Sequence, residues 1–382
     1  MLGALTSAGL LLSAVPGLAQ APPLGSVPQG SPIPRIQPPE APGVSPGGVV
    51  TPPPQPNAEV PNQPVRVTQV SVTGVTAYPI GEITELAQGL IGPAVPLPRI
   101  DAARQAILQR YRADGYVLTT VSLHLDASGQ LHFEVTEGRI ASVKLDGDIG
   151  PAGTQVLRFL QRLTERQPID DKTLERYLLL AQDVPGVTLR AVLEPSADEP
   201  GALVLIAQVT RKPVSGLATF DNRAYKLTGP VEGLAVLDLN SFTQFGEKTE
   251  FSFYHTFPDS ENFGQASTEI FVGASGLRFS VHGGTGPTNP TGSLGAIGYA
   301  GTTTVFGGTV SYPLIRARQQ TLNVHLTLDG LESTINVGTG PDLIRQSYDS
   351  LRVLRLAGDY ALADLWLGGD RPATNLVSVR LS

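Results

Sequence analysis

Cysteine is absent from this 382-residue chain, and charge is scarce. Without cysteine there is no disulfide scaffold, no thiolate zinc cage, no Fe–S cluster and no thiol nucleophile. Charged residues make up 16%, against the usual quarter, while the apolar share is an ordinary 41%. Positive charge is the scarcer sign: 27 Lys and Arg face 34 Asp and Glu, a net charge of −7. That balance argues against a nucleic-acid partner held by phosphate neutralisation. Outside the N-terminus no apolar run is long enough for a spanning helix. A membrane protein of the other kind, a β-barrel, stays open. Catalytic signatures are missing too. The histidines are scattered at His124, His132, His255, His282 and His325. There is no H-E-x-x-H, G-x-S-x-G, Walker A or G-x-G-x-x-G run. The sequence therefore points to no enzyme, no cofactor and no metal. The carboxylate pair Asp170-Asp171 stands where a helix begins and reads as its cap.

What the chain has in excess is Gly (42) and Pro (33), unevenly spread. Residues 1–21 carry an apolar stretch around Leu10–Leu12 and end on Ala19-Gln20-Ala21, the form of a secretory signal peptide. The basic residue that should precede the apolar stretch is missing, so a buried helix is the competing reading. Residues 22–64 hold 15 of the 33 prolines and only Arg35, Glu40 and Glu59 as charges. Such a segment reads as an extended linker.

The next region is organised twice. Val70-Ser71-Val72-Thr73-Gly74 alternates like a strand and stops at glycine; Val143-Lys144-Leu145-Asp146-Gly147 does the same 73 residues later. Two helical stretches follow each. In the first copy Arg99 to Asp114 gathers Ile100, Ala103, Ile107, Leu108 and Tyr111 on one face before Gly115. In the second, Asp170 to Gln182 gathers Leu174, Leu178 and Ala181. A strand pair closes each copy: Tyr116–Leu125 with Gln130–Thr136, then Val187–Glu194 with Ala202–Thr210. Both copies read β-α-α-β-β, at 65–137 and 138–211. A three-stranded sheet with helices on one face leaves strand edges open, and open edges are used for β-augmentation by extended peptides. Two ordinary α+β modules without a binding role are the alternative. The edge candidates are Val117, Thr119, Val121 and Leu123 in the first unit, and Val187, Leu189, Ala191 and Leu193 in the second. Packing against the helices is the competing role for one parity of each strand.

From Pro213 the period becomes two. Leu277, Phe279 and Val281 alternate with Arg278, Ser280 and His282; Leu322 to Leu328 alternate with Asn323, His325, Thr327 and Asp329. Nine such segments of about ten residues run from 213 to 382. One face is apolar and the other polar, the pattern of a transmembrane β-strand. Tyr225, Phe242, Phe257, Tyr299 and Tyr312 stand near segment ends, where an interfacial girdle belongs. A soluble sandwich or propeller is the alternative. On the barrel reading Arg278, Ser280, His282, Asn323, His325, Thr327 and Asp329 face the lumen. Arg316 and Arg318 either line the lumen or take an interfacial or turn role, the latter being the preferred reading.

In this order the chain resembles the ShlB/FhaC/HecB family, the outer-membrane transporters of two-partner secretion. The repeated units resemble POTRA domains. The run Phe133-Glu134-Val135-Thr136-Glu137-Gly138-Arg139-Ile140 is similar to the family's POTRA junction. Tyr312-Pro313-Leu314-Ile315-Arg316 with Arg318 is similar to its "YPLIRSR" strand end, and Asp221-Asn222 more weakly to its opening barrel strand. The resemblance implies an α+β POTRA pair followed by an antiparallel transmembrane β-barrel. It also implies sixteen strands and a Val-Arg-Gly-Phe/Tyr loop motif. Nine strands and no such motif are found, so a truncated barrel is expected, with no residue inheriting that motif's role.

The function so implied is capture of an unfolded exoprotein of haemagglutinin or haemolysin type on periplasmic POTRA domains, then passage through the barrel. The chain would be a monomer in outer-membrane lipid, with no nucleic-acid partner and no cofactor. The alternatives are a barrel assembly factor, a non-functional truncated transporter, a porin-like channel and a secreted enzyme. The paired helical units speak against a porin. The missing catalytic signatures speak against an enzyme.

Overall fold

The computed structural model describes residues 31–33, 44, 63–197, 199–364, 366, 371 and 373–382. The signal-peptide reading of 1–21 and nearly all of the linker reading of 22–64 lie outside the described residues.

Two units of the same topology open the described chain. The first contains β1 (Pro64–Val67), β2 (Gln69–Thr73), α1 (Ile80–Leu86), β3 (Gly92–Pro96), α2 (Leu97–Ala113), β4 (Thr120–Leu125) and β5 (Gln130–Thr136). Its main sheet has the order β2-β5-β4, with β2 parallel and β4 antiparallel to the central β5. The second contains β6 (Arg139–Asp146), α3 (Ala152–Leu160), a 3-10 turn at Gln161–Glu165, α4 (Asp171–Gln182), β7 (Val187–Pro195) and β8 (Ala202–Arg211). Its sheet order is β6-β8-β7, again parallel then antiparallel. The expected β-α-α-β-β repeat is therefore present, with an additional β1–β3 pair in the first unit.

Local chemistry explains the helices. In α2, Pro98 occupies the first turn, where its missing N–H costs nothing. Ile100, Ala103, Ile107, Leu108 and Tyr111 then fall on one buried face. In α4 the Asp170 carboxylate accepts from the Thr173 amide at 2.8 Å, as the cap reading required. Each unit has its own core. That of the first gathers around Ile83, Ile107, Tyr111 and Phe133, that of the second around Val156, Phe159, Leu163 and Leu180.

One strand starts later than the alternation suggested. The strand read as Tyr116–Leu125 begins at Thr120. Tyr116 and its neighbours form a turn instead: the Tyr116 amide donates to Tyr111 O, and the Thr119 amide donates to Tyr116 O. The Tyr116 ring packs edge-on against Tyr78 and Tyr111, which fixes the turn. Val117 and Thr119 thus precede the edge strand rather than lying on it.

The remainder is a nine-stranded antiparallel sheet in strict sequence order. Its strands are β9 (Val214–Asp221), β10 (Val231–Asn240), β11 (Lys248–Phe257), β12 (Asn262–Val272), β13 (Leu277–Thr288), β14 (Ala300–Arg316), β15 (Gln320–Val337), β16 (Ile344–Asp364) and β17 (Ala373–Leu381). A short helix, α5 (Gly292–Ala296), sits in the β13–β14 loop. Cross-strand partners share a face, so one row of the ladder shows which way side chains point. Phe279, Val310, Leu326 and Leu356 form such a row on the outer face and are exposed. Phe251, Phe253, Leu237, Leu328, Leu354, Val377 and Val379 share that face and are exposed as well. A continuous exposed apolar face on strands of this length is the lipid-facing surface of a barrel wall. Among the described residues no strand pairs with the free side of β9 or of β17.

Not every aromatic near a strand end belongs to a girdle. Tyr299 is buried with Leu294 of α5 and Ile335 of β15, and Tyr225 packs against them. Phe242 lies under the Arg211 guanidinium.

Candidate functional site

The structure brings the expected site residues into three places. The first is a groove in the second unit. Its floor is the apolar side of edge strand β7, with Leu189, Ala191 and Leu193; helix α4 forms the facing wall with Leu174 and Leu178. Val117 and Leu118 of the first unit and Arg318, in the turn between β14 and β15, complete the lining. The cavity measures about 540 Å³. Val187 and Leu189 are themselves buried in the unit's core, so their side chains mainly support the strand. In the first unit Val121 is likewise buried, while Leu123 remains over a third exposed. What β4 and β7 share is position: each is the last strand of its sheet, and among the described residues no strand pairs with its other side.

The second place is the junction between the units. Glu137, in the expected junction run, accepts from the Thr76 and Ala77 amides at 2.9 and 3.0 Å. It also accepts from the Tyr111 hydroxyl at 2.6 Å and from the Thr76 hydroxyl. Burial alone would raise this carboxyl, but the hydrogen bonds from Thr76, Tyr111 and Ala77 outweigh it and hold the group below the usual glutamate value. Burial and the bond to Glu137 push the Tyr111 hydroxyl far above its ordinary value. The next residues tie the units together: the Ile169 amide donates to Gly138 O at 3.1 Å, and the Asp171 amide to Gly115 O at 2.9 Å.

The third place is the inner face of the strand sheet. Arg278, Ser280, His282, Asn323, His325, Thr327 and Asp329 all share it by register. His282 Nε2 lies 3.7 Å from Asp329, which also pairs with Arg355. His325 takes part in a 2.8 Å hydrogen bond with Ser311 and stands 3.2 Å from Asp359. Thr327 bonds Thr309 at 3.0 Å. Ser280 stands opposite Glu269 and Thr309, and Asn323 opposite Asp359. Sequence reading missed Lys248, which bridges Asp238 and Glu250 on the same face, each at 3.1 Å. The signal was available, since each stands in the polar parity of its strand. An apolar patch interrupts this surface. Leu234, Val236, Tyr254 and Phe263 gather around Ile33, which is 6% exposed. Ser31 donates to Gln265 at 3.2 Å beside it. Part of the proline-rich segment thus lies against the inner wall.

At the rim, the Tyr312–Arg318 run is no free interface. The ladder passes from Pro313 opposite Asn323 to Ile315 opposite Leu322, so Leu314 is an extra residue, a β-bulge. Without it Arg316 would share the parity of Tyr312 and face outward. With it, Arg316 stands opposite Thr321 on the inner face. There it holds both oxygens of Asp183, at 2.8 and 2.6 Å. Arg316 is thus the last residue of β14, at the turn into β15, and faces inward rather than toward lipid.

A periplasmic-type α+β arm seated on a wall of membrane-spanning strands defines an outer-membrane β-barrel protein with a POTRA arm. Residues 65–138 match the family described as "POTRA domain, ShlB-type". The outer membrane transporter CdiB of Escherichia coli O6:K15:H31 (strain 536 / UPEC) is 24% identical over 224 residues, 56% of this chain and 37% of that protein. The chain thus spans less than half the length of this relative. The solved structure of CdiB from Escherichia coli superposes with a TM-score of 0.64 at 18% identity, covering 87% of this chain and 61% of that one. CdiB from Acinetobacter baumannii gives 0.52 at 14% identity, covering 83% and 62%. The resemblance to two-partner secretion transporters is supported on both sequence and fold. These relatives are outer-membrane transporters, not enzymes.

Proposed function

We propose that the chain is the capture arm and part of the barrel of a two-partner secretion transporter, whose cargo is an unfolded, haemagglutinin- or haemolysin-like exoprotein. The arm runs as two POTRA units, 65–137 and 138–211, and works as a monomer in outer-membrane lipid. The observation that carries this reading is the groove between β7 and α4. An extended segment added to the free side of β7 would form backbone hydrogen bonds along the strand. Alternate side chains of that segment would enter the apolar cavity over Ala191 and Leu193. Selectivity then falls on a cargo segment with small or medium apolar residues at every second position. The inner-face residues, Arg278 through Asp329, would offer the passing chain a hydrogen-bonding wall. Arg278, His282, His325, Thr327 and Asp329 already have side-chain partners, so an unfolded polypeptide meets exchangeable contacts there rather than a sticky surface.

The test is a titration of the full chain in detergent with the labelled N-terminal region of a large exported protein encoded beside it. Saturable binding is expected. Ala191→Asp, which sets a carboxylate against an apolar cargo side chain, should weaken it about 10-fold or more, from a burial cost of roughly 1–3 kcal/mol. No binding to any large exported neighbour would overturn the reading.

A further inference from the structure

We propose that the Tyr312–Arg318 run is a seat for the second unit, and that Asp183 and Arg176 are positioning residues which clamp α4 to it. The inference rests on the capture reading for its purpose, but not for its geometry. Arg176 and Asp183 are seven residues apart, two helical turns, so they share one face of α4 and its C-cap. That face meets the end of β14 and the β12–β13 turn. Arg176 donates to Pro313 O at 2.9 Å, Ser275 O at 3.3 Å and Leu314 O at 3.4 Å. Asp183 receives the two-pronged bond from Arg316 described above, and Arg278 lies 3.4 Å from it on the inner wall. Both partners are withdrawn from water, with side chains 17% and 14% exposed for Asp183 and Arg316. Next to Arg176 in the sequence, Glu175 accepts from the Arg318 amide at 3.3 Å.

The strip therefore offers carbonyl oxygens where the helix brings a guanidinium, and a guanidinium where the helix brings a carboxylate. The bulge at Leu314 is what makes this possible. It exposes carbonyls to Arg176 and turns Arg316 from the outer face to the inner one. The consequence is directional. Arg318 lines the β7–α4 groove because α4 is seated against its turn, so cargo lying along β7 is held next to the strand sheet. An unclamped unit keeps its groove but loses that alignment.

The chain has no cysteine, so two introduced ones can be spin-labelled without background. Lys172→Cys on α4 and Leu326→Cys on the outer face of β15 report the distance between the unit and the wall. The full chain in detergent should give a single narrow distance distribution. Asp183→Arg should at least double its width, and Arg176→Met should broaden it as well. Combining Asp183→Arg with Arg316→Asp should restore the narrow distribution, which a merely structural loss of packing would not do. Asp183→Asn serves if the reversal does not fold, with an intermediate width expected. An unchanged distribution in Asp183→Arg or Asp183→Asn, or no recovery in the exchange, overturns the proposal. Cargo binding is measured on the same samples. Failure to bind while the widths behave as expected would sink the capture reading and leave the seat standing.

Discussion

Replacing Gly147 by alanine should unfold the second unit at moderate temperature, and Gly74→Ala should do the same to the first. Gly147 leaves β6 at a φ of +116°, and Gly74 leaves β2 at +80°. An L-residue in such a conformation costs about 1–2 kcal/mol. Space adds to the cost. A Cβ at Gly147 would fall inside the carbonyl oxygen of Val209, and one at Gly74 inside that of Val135. Those carbonyls belong to the central strands, so relief requires moving a core strand rather than rotating a side chain. An overpacking penalty of about 1–3 kcal/mol follows. The total, roughly 2–5 kcal/mol, is a large share of what a small domain has. A fall of Tm on the order of 10–20 °C is expected for the affected unit. Limited proteolysis during a thermal ramp, with cleavage sites assigned to 65–137 or 138–211, separates the two effects. A unit that melts as before would mean that its glycine is not held by that strand.

These two glycines also show what could be read in advance. They stand 73 residues apart because each ends the strand that opens its unit's three-stranded sheet, before the crossover. The positive φ at both strand ends favours glycine, so the repeat was visible without any contact being known. The barrel wall was visible for a similar reason: a two-residue period places every lumen candidate on one face, whatever the register. What stayed hidden depends on register or on tertiary contact. A single extra residue at Leu314 reverses the side on which Arg316 emerges, and alternation counts cannot reveal it. Thr120 begins β4 because three tyrosines from separate segments hold the preceding turn. Asp183 looked like an ordinary residue at the end of α4, since its partners lie more than 90 positions away.

Glu137→Ala should be the most damaging change among the surface-accessible residues of the arm. The substitution removes the acceptor from two backbone amides, those of Thr76 and Ala77, and from the hydroxyl of Tyr111, which is fully buried. Each stranded donor costs about 1–3 kcal/mol when water cannot replace the partner. Water reaches part of this site, because Glu137 is only partly buried. A net loss of about 2–4 kcal/mol is therefore expected rather than the full sum. Glu137→Gln retains one carbonyl acceptor and should lose less. Acid distinguishes the charge from the shape. The native carboxyl titrates below its unfolded counterpart, so its contribution is complete above the unfolded value, about 4.3, and disappears as pH falls through the native one. Wild type should lose first-unit stability over that window, whereas Glu137→Gln has no proton to gain and should not show that component. Alkali acts through the other partner. Unfolded tyrosine ionises near pH 10 while buried Tyr111 stays protonated, so stability falls again above that pH. Urea titrations of the arm between pH 3 and 7 test the acid limb. Parallel curves for wild type and Glu137→Gln would mean that the junction is held by the shape of the carboxylate rather than its charge.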